Sequence, residues 1–342
     1  MKTKVAIIGS GFGMYGLLPS FCKLENCEVT SICGKNSERM QNYCNRFNVV
    51  RYDNWKEMLE KEKPNAVAIA VIPEQQYHIA KYSLINGIAV FAEKPLTSSF
   101  ETSKELHELA EKKKLPNMVD FIFPEIPIWK RTKKIIESNL IGKINLVKIE
   151  WNFLSFDIKN NLKSWKLASN KGGGALSFYF SHVFYYLEFF LGRIKNIDCK
   201  LTYLENDSTN IEKKINMDIV FKNGCICNAY MDISFTGKKK HSIHFSGENG
   251  SLILENSTND FVDGFELIFR KSEQTNFFSE QSSNEDNDIL EDSRVKYVTS
   301  IAEKFITWCN SGVNAKPNFQ DGLRVQELIE LARNSNNSQF LS

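Results

Sequence analysis

Short apolar runs separated by amphipathic segments set the rhythm of residues 1–122. Lys4–Ile8, Glu28–Cys33, Ala66–Val71, Ile88–Ala92 and Asn117–Phe121 read as strands. Ala66–Val71 is apolar throughout, the pattern of a strand buried on both faces of a parallel sheet. Met14–Leu24, Ser37–Phe47, Trp55–Lys61, Tyr77–Asn86 and Phe100–Lys113 carry helical spacing between them. Ser37 is placed to cap its helix, with Glu38 in the first turn, while Gly87 and Pro116 act as stop signals. Strand–helix alternation at this spacing predicts a doubly wound parallel sheet.

The rhythm changes after residue 122. A helix is expected over 125–140, then a strand over Ile144–Phe153. Gly172–Gly174 precede a long aromatic helix that ends at Leu191. Strands are expected over 195–204, 213–222, 225–235 and 240–254. Alternation through Cys225–Met231 fits an antiparallel sheet with one covered face. Segment 271–292 is rich in Ser, Asn, Glu and Asp and reads as an exposed or mobile loop, and helices close the chain near 293–311 and 320–335. The expected organisation is a nucleotide-binding domain over 1–122 and an α+β domain over 123–342. The second domain is expected to be built on an open, mostly antiparallel sheet, and its closing helices are free to pack back on the first.

Composition narrows the classes. The chain has 342 residues, 42% hydrophobic and 25% charged, which excludes a disordered chain and a coiled coil. With 43 basic against 41 acidic side chains the net charge is +2, no footprint for nucleic acid. The longest aliphatic run is Ala66–Ile72, far short of the ~20 residues a membrane helix needs. Ser177, Ser181, His182 and Glu188 interrupt the apolar stretch 175–191. The opening MKTKVAIIGS runs straight into a glycine turn and does not read as a secretory signal. The eight cysteines form no C-x-x-C pair and no metal spacing, so reduced thiols, a cytoplasmic location and no bound metal are expected.

The first chemical signal follows strand Val5–Ile8, where the chain reads Gly9-Ser10-Gly11-Phe12-Gly13-Met14-Tyr15-Gly16 and enters a helix. Glycines allow a tight turn and close backbone approach, and the helix N-terminus offers N–H groups to a pyrophosphate. Gly11, Gly13 and Gly16 match the dinucleotide spacing literally. Gly9, Gly11 and Met14 place the first glycine at the strand end, and this register is preferred. Gly9, Gly11, Phe12, Gly13 and Met14 are then the cofactor-binding candidates of the loop. At the end of the second strand an NAD-binding domain usually carries an acid for the ribose hydroxyls. Here Gly34 stands there and Lys35 follows. Lys35, Ser37 and Arg39 are placed to hold a 2′-phosphate, so NADP(H) is favoured over NAD(H).

The tripeptide Glu93-Lys94-Pro95 follows strand Ile88–Ala92, at a carboxyl end of the parallel sheet, where ligands bind. With it, VAIIGSGFG at 5–13, GIAVFAEKPLT at 87–97, IIESNLIGKI at 135–144, SWKLASNKGGGAL at 164–176 with His182, and DGLRVQELIELARNS at 321–335 complete a set. In this order the pieces resemble the Gfo/Idh/MocA family, the glucose–fructose oxidoreductases and inositol dehydrogenases. The resemblance spans almost the whole chain. It implies a Rossmann domain, an NAD(P) cofactor and oxidoreduction of a sugar, polyol or nucleotide-linked sugar. It implies that Lys94 lies between nicotinamide and substrate hydroxyl and relays a proton, and that Glu93 shares the cofactor site. It implies that Val71, Ile72 and Pro73 line the nicotinamide ribose, with Gln76 near the same helix start, and that Trp165 and Lys166 lie close to the cleft.

One signature departs. Relatives carry Asp-x-x-x-His on the helix after the glycine triplet; here His182 is present and Phe178 stands four residues earlier. Tyr179 lies three before His182 and is the candidate partial substitute, so Lys94, His182 and Tyr179 are the catalytic candidates. Two functions stay open: an oxidoreductase acting on CH–OH groups, or a protein that binds NAD(P) without turnover as a sensor or scaffold. A third is oxidoreduction of a cyclic non-sugar that stacks on the aromatic helix. A homo-oligomer, dimer or tetramer, is expected through the open sheet. No spacing assigns a role to His78, His107, His241 or His244.

Overall fold

A computed structural model of the chain describes residues 2–204, 211–271, 274–281 and 291–338, with backbone alone for 274–281 and 338. The chain forms two compact units, one of residues 1–122 with 288–326 and one of 123–287 with 327–342.

The first unit alternates as its sequence implies. Strand β1 (Thr3–Ile8) leads through the π-helical turn Gly13–Leu17 into α1 (Leu18–Cys22) and β2 (Cys27–Cys33). Helix α2 (Glu38–Phe47), β3 (Val50–Tyr52), α3 (Trp55–Glu62), β4 (Ala66–Ile69), α4 (Pro73–Ile85), β5 (Ala89–Ala92), α5 (Phe100–Lys113) and β6 (Asn117–Val119) follow. All pairings are parallel, in the order β3-β2-β1-β4-β5-β6. The chain reverses direction across the sheet between β1 and β4, and an open sheet of this kind binds ligands at the carboxyl ends beside that point. Every residue of β4 and β5 is buried. Ser37, Asn54 and Ser99 cap α2, α3 and α5 through side-chain oxygens. Phe21 and Phe91 meet edge to face at 5.2 Å, and Phe91 meets Phe305 at 5.8 Å. All three rings are fully buried, and such burial contributes about 1.5–3 kcal/mol per side chain.

The second unit is a sheet of eight strands. Helix α6 (Pro127–Glu137), β7 (Ile144–Asn152), α7 (Phe156–Lys159) and α8 (Ser181–Leu191) precede β8 (Ile194–Tyr203), β9 (Glu212–Phe221), β10 (Ile226–Asp232), β11 (Lys240–Gly247), β12 (Gly250–Asn256), β13 (Glu266–Lys271) and β14 (Gln274–Gln281). Their order is β14-β13-β12-β11-β7-β10-β9-β8, antiparallel except for the β7–β10 pair. Trp129, Tyr186, Phe190 and Phe265 pack an aromatic layer, with Trp129 at 5.0 Å from Tyr186 and 5.2 Å from Phe265. Helices α9 (Val295–Ser311) and α10 (Phe319–Ser338) close the chain.

Several expectations change. The run 240–254 is a hairpin, turning at Glu248-Asn249. Part of the expected loop 271–292 is strand β14, paired antiparallel with β13, while 272–273 and 282–290 lie outside the described residues. Helix α4 begins at Pro73, which fills a first-turn position where no N–H is needed. Among the described residues no helix is long and apolar enough to cross a membrane.

Candidate functional site

Strand β1 delivers Gly9 with φ +136°, and a Cβ there would sit 2.2 Å from the Ala70 carbonyl oxygen. Only glycine fits. At Gly11 a Cβ would meet no protein atom within 4 Å. No neighbouring protein atom calls for glycine here, and the space beside it is open. Gly13 starts the π-helical turn, and Gly11 O accepts from Met14 N at 2.9 Å and Tyr15 N at 3.2 Å. Gly16 leaves room for the Phe12 ring, which a Cβ would contact at 2.4 Å. The first glycine therefore stands at the strand end, with Met14 packed beneath at 3% exposure.

Beside the loop, a Cβ at Gly34 would lie 2.7 Å from Met40 Cε and 3.0 Å from Ser10 Cβ. A side chain at this position would have to displace the end of Met40. Lys35 and Arg39 are exposed, and the Arg39 guanidinium lies 5.2 Å over the Tyr15 ring. Ser37 Oγ accepts from Met40 N at 3.1 Å, so its oxygen serves the helix cap. Arg51, which the sequence reading missed, donates to Gly34 O at 3.1 Å and bidentately to Asp53 at 2.6 and 2.9 Å. Arg51 lies on the three-residue edge strand β3, too short to announce itself by periodicity.

The Glu93-Lys94-Pro95 turn leaves β5. Glu93 N donates to Ile69 O at 2.9 Å, and Glu93 Oε2 accepts from Lys94 N at 3.0 Å. Gln76, 1% exposed on α4, turns its Nε2 onto the carbonyls of Glu93 (2.6 Å), Pro95 (3.1 Å) and Leu96 (3.0 Å). Gln76 thus holds the turn from below. The Lys94–Pro95 peptide is cis. Val71 and Ile72 are half-exposed ahead of Pro73. Two further groups, both missed from sequence, complete this edge. Asp120, just beyond β6, is 2% exposed, and burial and the neighbouring Glu93 hold its carboxyl well above the usual carboxylate range. Arg294 is fixed by Asp292 at 2.7 and 2.8 Å and lies 4.4 Å over the Phe12 ring. It also acts electrostatically on Glu93 and Asp120.

In the second unit the glycine triplet is set by contacts. A Cβ at Gly173 would lie 2.2 Å from Trp165 O, and one at Gly174 2.5 Å from Glu212 Oε2. The Trp165-Lys166 turn therefore lies directly on the triplet. A π-helical turn, Ala175–Phe180, runs into α8. Phe178 meets Trp165 edge-on at 5.4 Å and Tyr179 at 4.8 Å, with Lys166 Nζ 5.8 Å over its ring. Burial raises the Tyr179 phenol, with Asp157 adding to the rise and a Ser155 hydrogen bond opposing it, so its hydroxyl keeps its proton and engages Ser155. His182 is 8% exposed and meets Phe123 edge to face at 5.0 Å. His241 stacks on Trp151 at 4.2 Å and shares a 3.1 Å hydrogen bond with Tyr186 Oη. Burial, with Lys239 adding, pushes it down to about 3, which keeps it neutral. His244 lies on the other face, among Lys148, Glu150 and Lys240. Among the described residues no group of three His, Cys, Asp or Glu is gathered for a metal. The structure thus brings the loop, Lys94, Glu93 and Gln76 to one sheet edge, and Trp165, Phe178, Tyr179 and His182 to one helix start.

Residues 3–121 match the profile described as an oxidoreductase family, NAD-binding Rossmann fold, and residues 133–339 its C-terminal alpha/beta domain. An uncharacterized oxidoreductase of Synechocystis sp. is 25% identical over 96% of this chain and 92% of its own length. Levoglucosan dehydrogenase of Pseudarthrobacter phenanthrenivorans is 26% identical over 44% of this chain and 38% of its own. Among solved structures, a levoglucosan dehydrogenase in complex with NADH and L-sorbose superposes with TM-score 0.87 at 19% identity, covering 99% of this chain and 98% of that one. A 3-ketoreductase from Actinomadura kijaniata in complex with NADP and TDP-benzene gives TM-score 0.82 at 18% identity, covering 98% of each chain.

Proposed function

The chain belongs to the Gfo/Idh/MocA family of NAD(P)-dependent oxidoreductases, and from that premise we propose that it transfers a hydride between NADP(H) and a hydroxyl or keto carbon of a sugar, polyol or nucleotide-linked sugar. The observation that carries the reading is the Lys94 turn, held by Gln76 at the carboxyl end of β5 in the same unit as the Gly9–Met14 loop. When bound, the nicotinamide supplies the hydride acceptor or donor. Gly9, Gly11, Phe12, Gly13 and Met14 would hold the pyrophosphate. Lys35, Ser37 and Arg39 would take the 2′-phosphate, where Gly34 leaves no carboxylate to repel it. Lys94 would take the hydroxyl proton during oxidation and return it during reduction. His182, with no carboxylate four residues earlier, would orient substrate.

The comparisons support a sugar-like substrate, because dehydrogenases and reductases of sugars and nucleotide sugars are among the relatives. The open face of the eight-stranded sheet, with Lys148, Glu150, Lys200, Asp218, Lys240 and His244, is the surface on which self-association would occur. The test is absorbance of reduced cofactor with a panel of sugars, polyols and nucleotide sugars. Turnover of one class supports the reading. Tight NADP(H) binding with no turnover supports the second reading, a sensor, which Phe178 in place of the acid favours.

A further inference from the structure

Two carboxyl groups meet beside Lys94. Strands β5 and β6 run parallel with Ala92 opposite Val119, so Glu93 and Asp120, each the next residue, leave the sheet side by side. Asp120 N donates to Ala92 O at 2.9 Å, which fixes that junction. Asp120 is 2% exposed, and its Oδ1 finds no hydrogen-bond partner among the described residues. Burial and the Glu93 carboxyl beside it both favour the protonated form of Asp120. Ionised carboxylates only accept, so two such neighbours hydrogen-bond to one another only by holding a proton. Holding two unprotonated carboxylates side by side, Asp120 buried and Glu93 half-buried, would cost more than sharing one proton.

We propose that Asp120 and Glu93 hold one proton between them, and that the resulting monoanion aligns and charge-balances the Lys94 turn, making Asp120 a positioning residue. The proposal deepens the oxidoreductase reading and rests on it for the role of Lys94. Glu93 Oε2 accepts the Lys94 N–H at 3.0 Å, so whatever fixes the Glu93 carboxylate fixes the backbone from which the lysine side chain departs. The charged groups around the pair are Lys94 on the same turn and Arg294 from the segment before α9, itself held by Asp292. With one proton in the pair, one negative charge faces these two cations. With none, two negative charges would hold the proton on Lys94 more tightly, and a base that must accept a proton would be lost. With two protons, Lys94 would lose its counter-charge.

The experiment reads the proton and its effect on Lys94 separately. Infrared difference spectra of the cofactor-free full chain at neutral pH, wild type minus Asp120→Asn, should show the C=O stretch of a protonated carboxylic acid. Absence of that band overturns the shared proton. Competitive labelling of lysines with acetic anhydride across pH, read at the Lys94 peptide by mass spectrometry, then gives the proton affinity of Lys94. Asp120→Asn donates an amide N–H to Glu93 and keeps one negative charge, so the Lys94 midpoint should match wild type. Glu93→Gln combined with Asp120→Asn leaves no carboxyl to carry that charge and should lower the midpoint by about one pH unit, tenfold in proton affinity. Equal midpoints in all three proteins, or a shift as large in Asp120→Asn as in the double variant, overturn the positioning role. Neither readout needs a substrate. Expected spectra and midpoints with no turnover of any sugar would therefore discard the oxidoreductase reading and leave the pair standing.

Discussion

Lys94 leaves the sheet on a turn whose Glu93, Pro95 and Leu96 carbonyls are all taken by Gln76, so its backbone is fixed before any ligand arrives. Lys94→Met keeps the apolar stem and removes the proton-carrying atom. Loss of a general acid–base group costs about 10²–10⁴ in rate. Turnover should therefore fall by that factor, with NADP(H) affinity nearly unchanged because the dinucleotide anchors on the Gly9–Met14 loop. Fluorescence titration of the reduced cofactor alongside steady-state rates checks both halves; a variant at wild-type rate refutes the assignment. The same titration tests Lys35. A charge-assisted contact to a 2′-phosphate contributes about 1.5–3 kcal/mol, so NADP(H) should bind at least roughly tenfold more tightly than NAD(H). Lys35→Glu should erase that preference, and equal affinities in the wild type would remove Lys35 from the site.

At the scale of elements, α4 matters through its one buried amide. Gln76→Leu would leave three carbonyls of the Lys94 turn without their donor, inside a site that is 1% exposed at residue 76. An unsatisfied buried group costs about 1–3 kcal/mol, and that loss of stability should appear as a lower urea midpoint at unchanged slope. Rates should fall with it as Lys94 loses its fixed direction. The alternation of the first unit was legible because β4 and β5 are buried throughout and because Ser37 and Ser99 announce the starts of α2 and α5. Strand β14, Gln-Thr-Asn-Phe-Phe-Ser-Glu-Gln, escaped because it is a polar strand at the end of the sheet order. The β11–β12 hairpin escaped for a different reason. Apolar and polar residues keep alternating on either side of the turn, so only the local Asn249-Gly250 pair marks the reversal. The parallel β7–β10 pairing joins strands distant in sequence, which no local pattern encodes. Of the candidate site, glycines and the Glu-Lys-Pro turn stood out by composition. Asp120, Arg51 and Arg294 did not, since each acquires its role from neighbours distant in the chain.

At the scale of the whole molecule, the chain's last helix returns to the second unit, where Arg333 reaches Glu212 Oε1 at 3.4 Å and Ser177 Oγ at 2.8 Å. Glu212 is 2% exposed and also accepts from Leu176 N at 3.2 Å, so one carboxylate ties α10, β9 and the helix start that carries Phe178 and His182. Burial raises the Glu212 carboxyl, and Arg333 and the Leu176 N–H pull it back. For an acid whose folded value lies above its unfolded one, folding favours the protonated form. Its contribution is fully present below the unfolded value and is lost as pH rises through the folded value. Arg333→Ala removes the cation that limits this loss. Hydrogen bonds to charged groups contribute about 1.5–3 kcal/mol, so the variant should lose that much at pH 7–8, where Glu212 must be ionised or bind a proton against the solution. Near pH 4 the carboxyl is largely protonated in both states, and the difference from wild type should shrink to what Arg333 contributes through packing and its Ser177 hydrogen bond. Urea unfolding of both proteins at the two pH values measures it. A destabilisation that stays constant with pH would assign Arg333 to packing and its Ser177 hydrogen bond, and would release Glu212 from the tie.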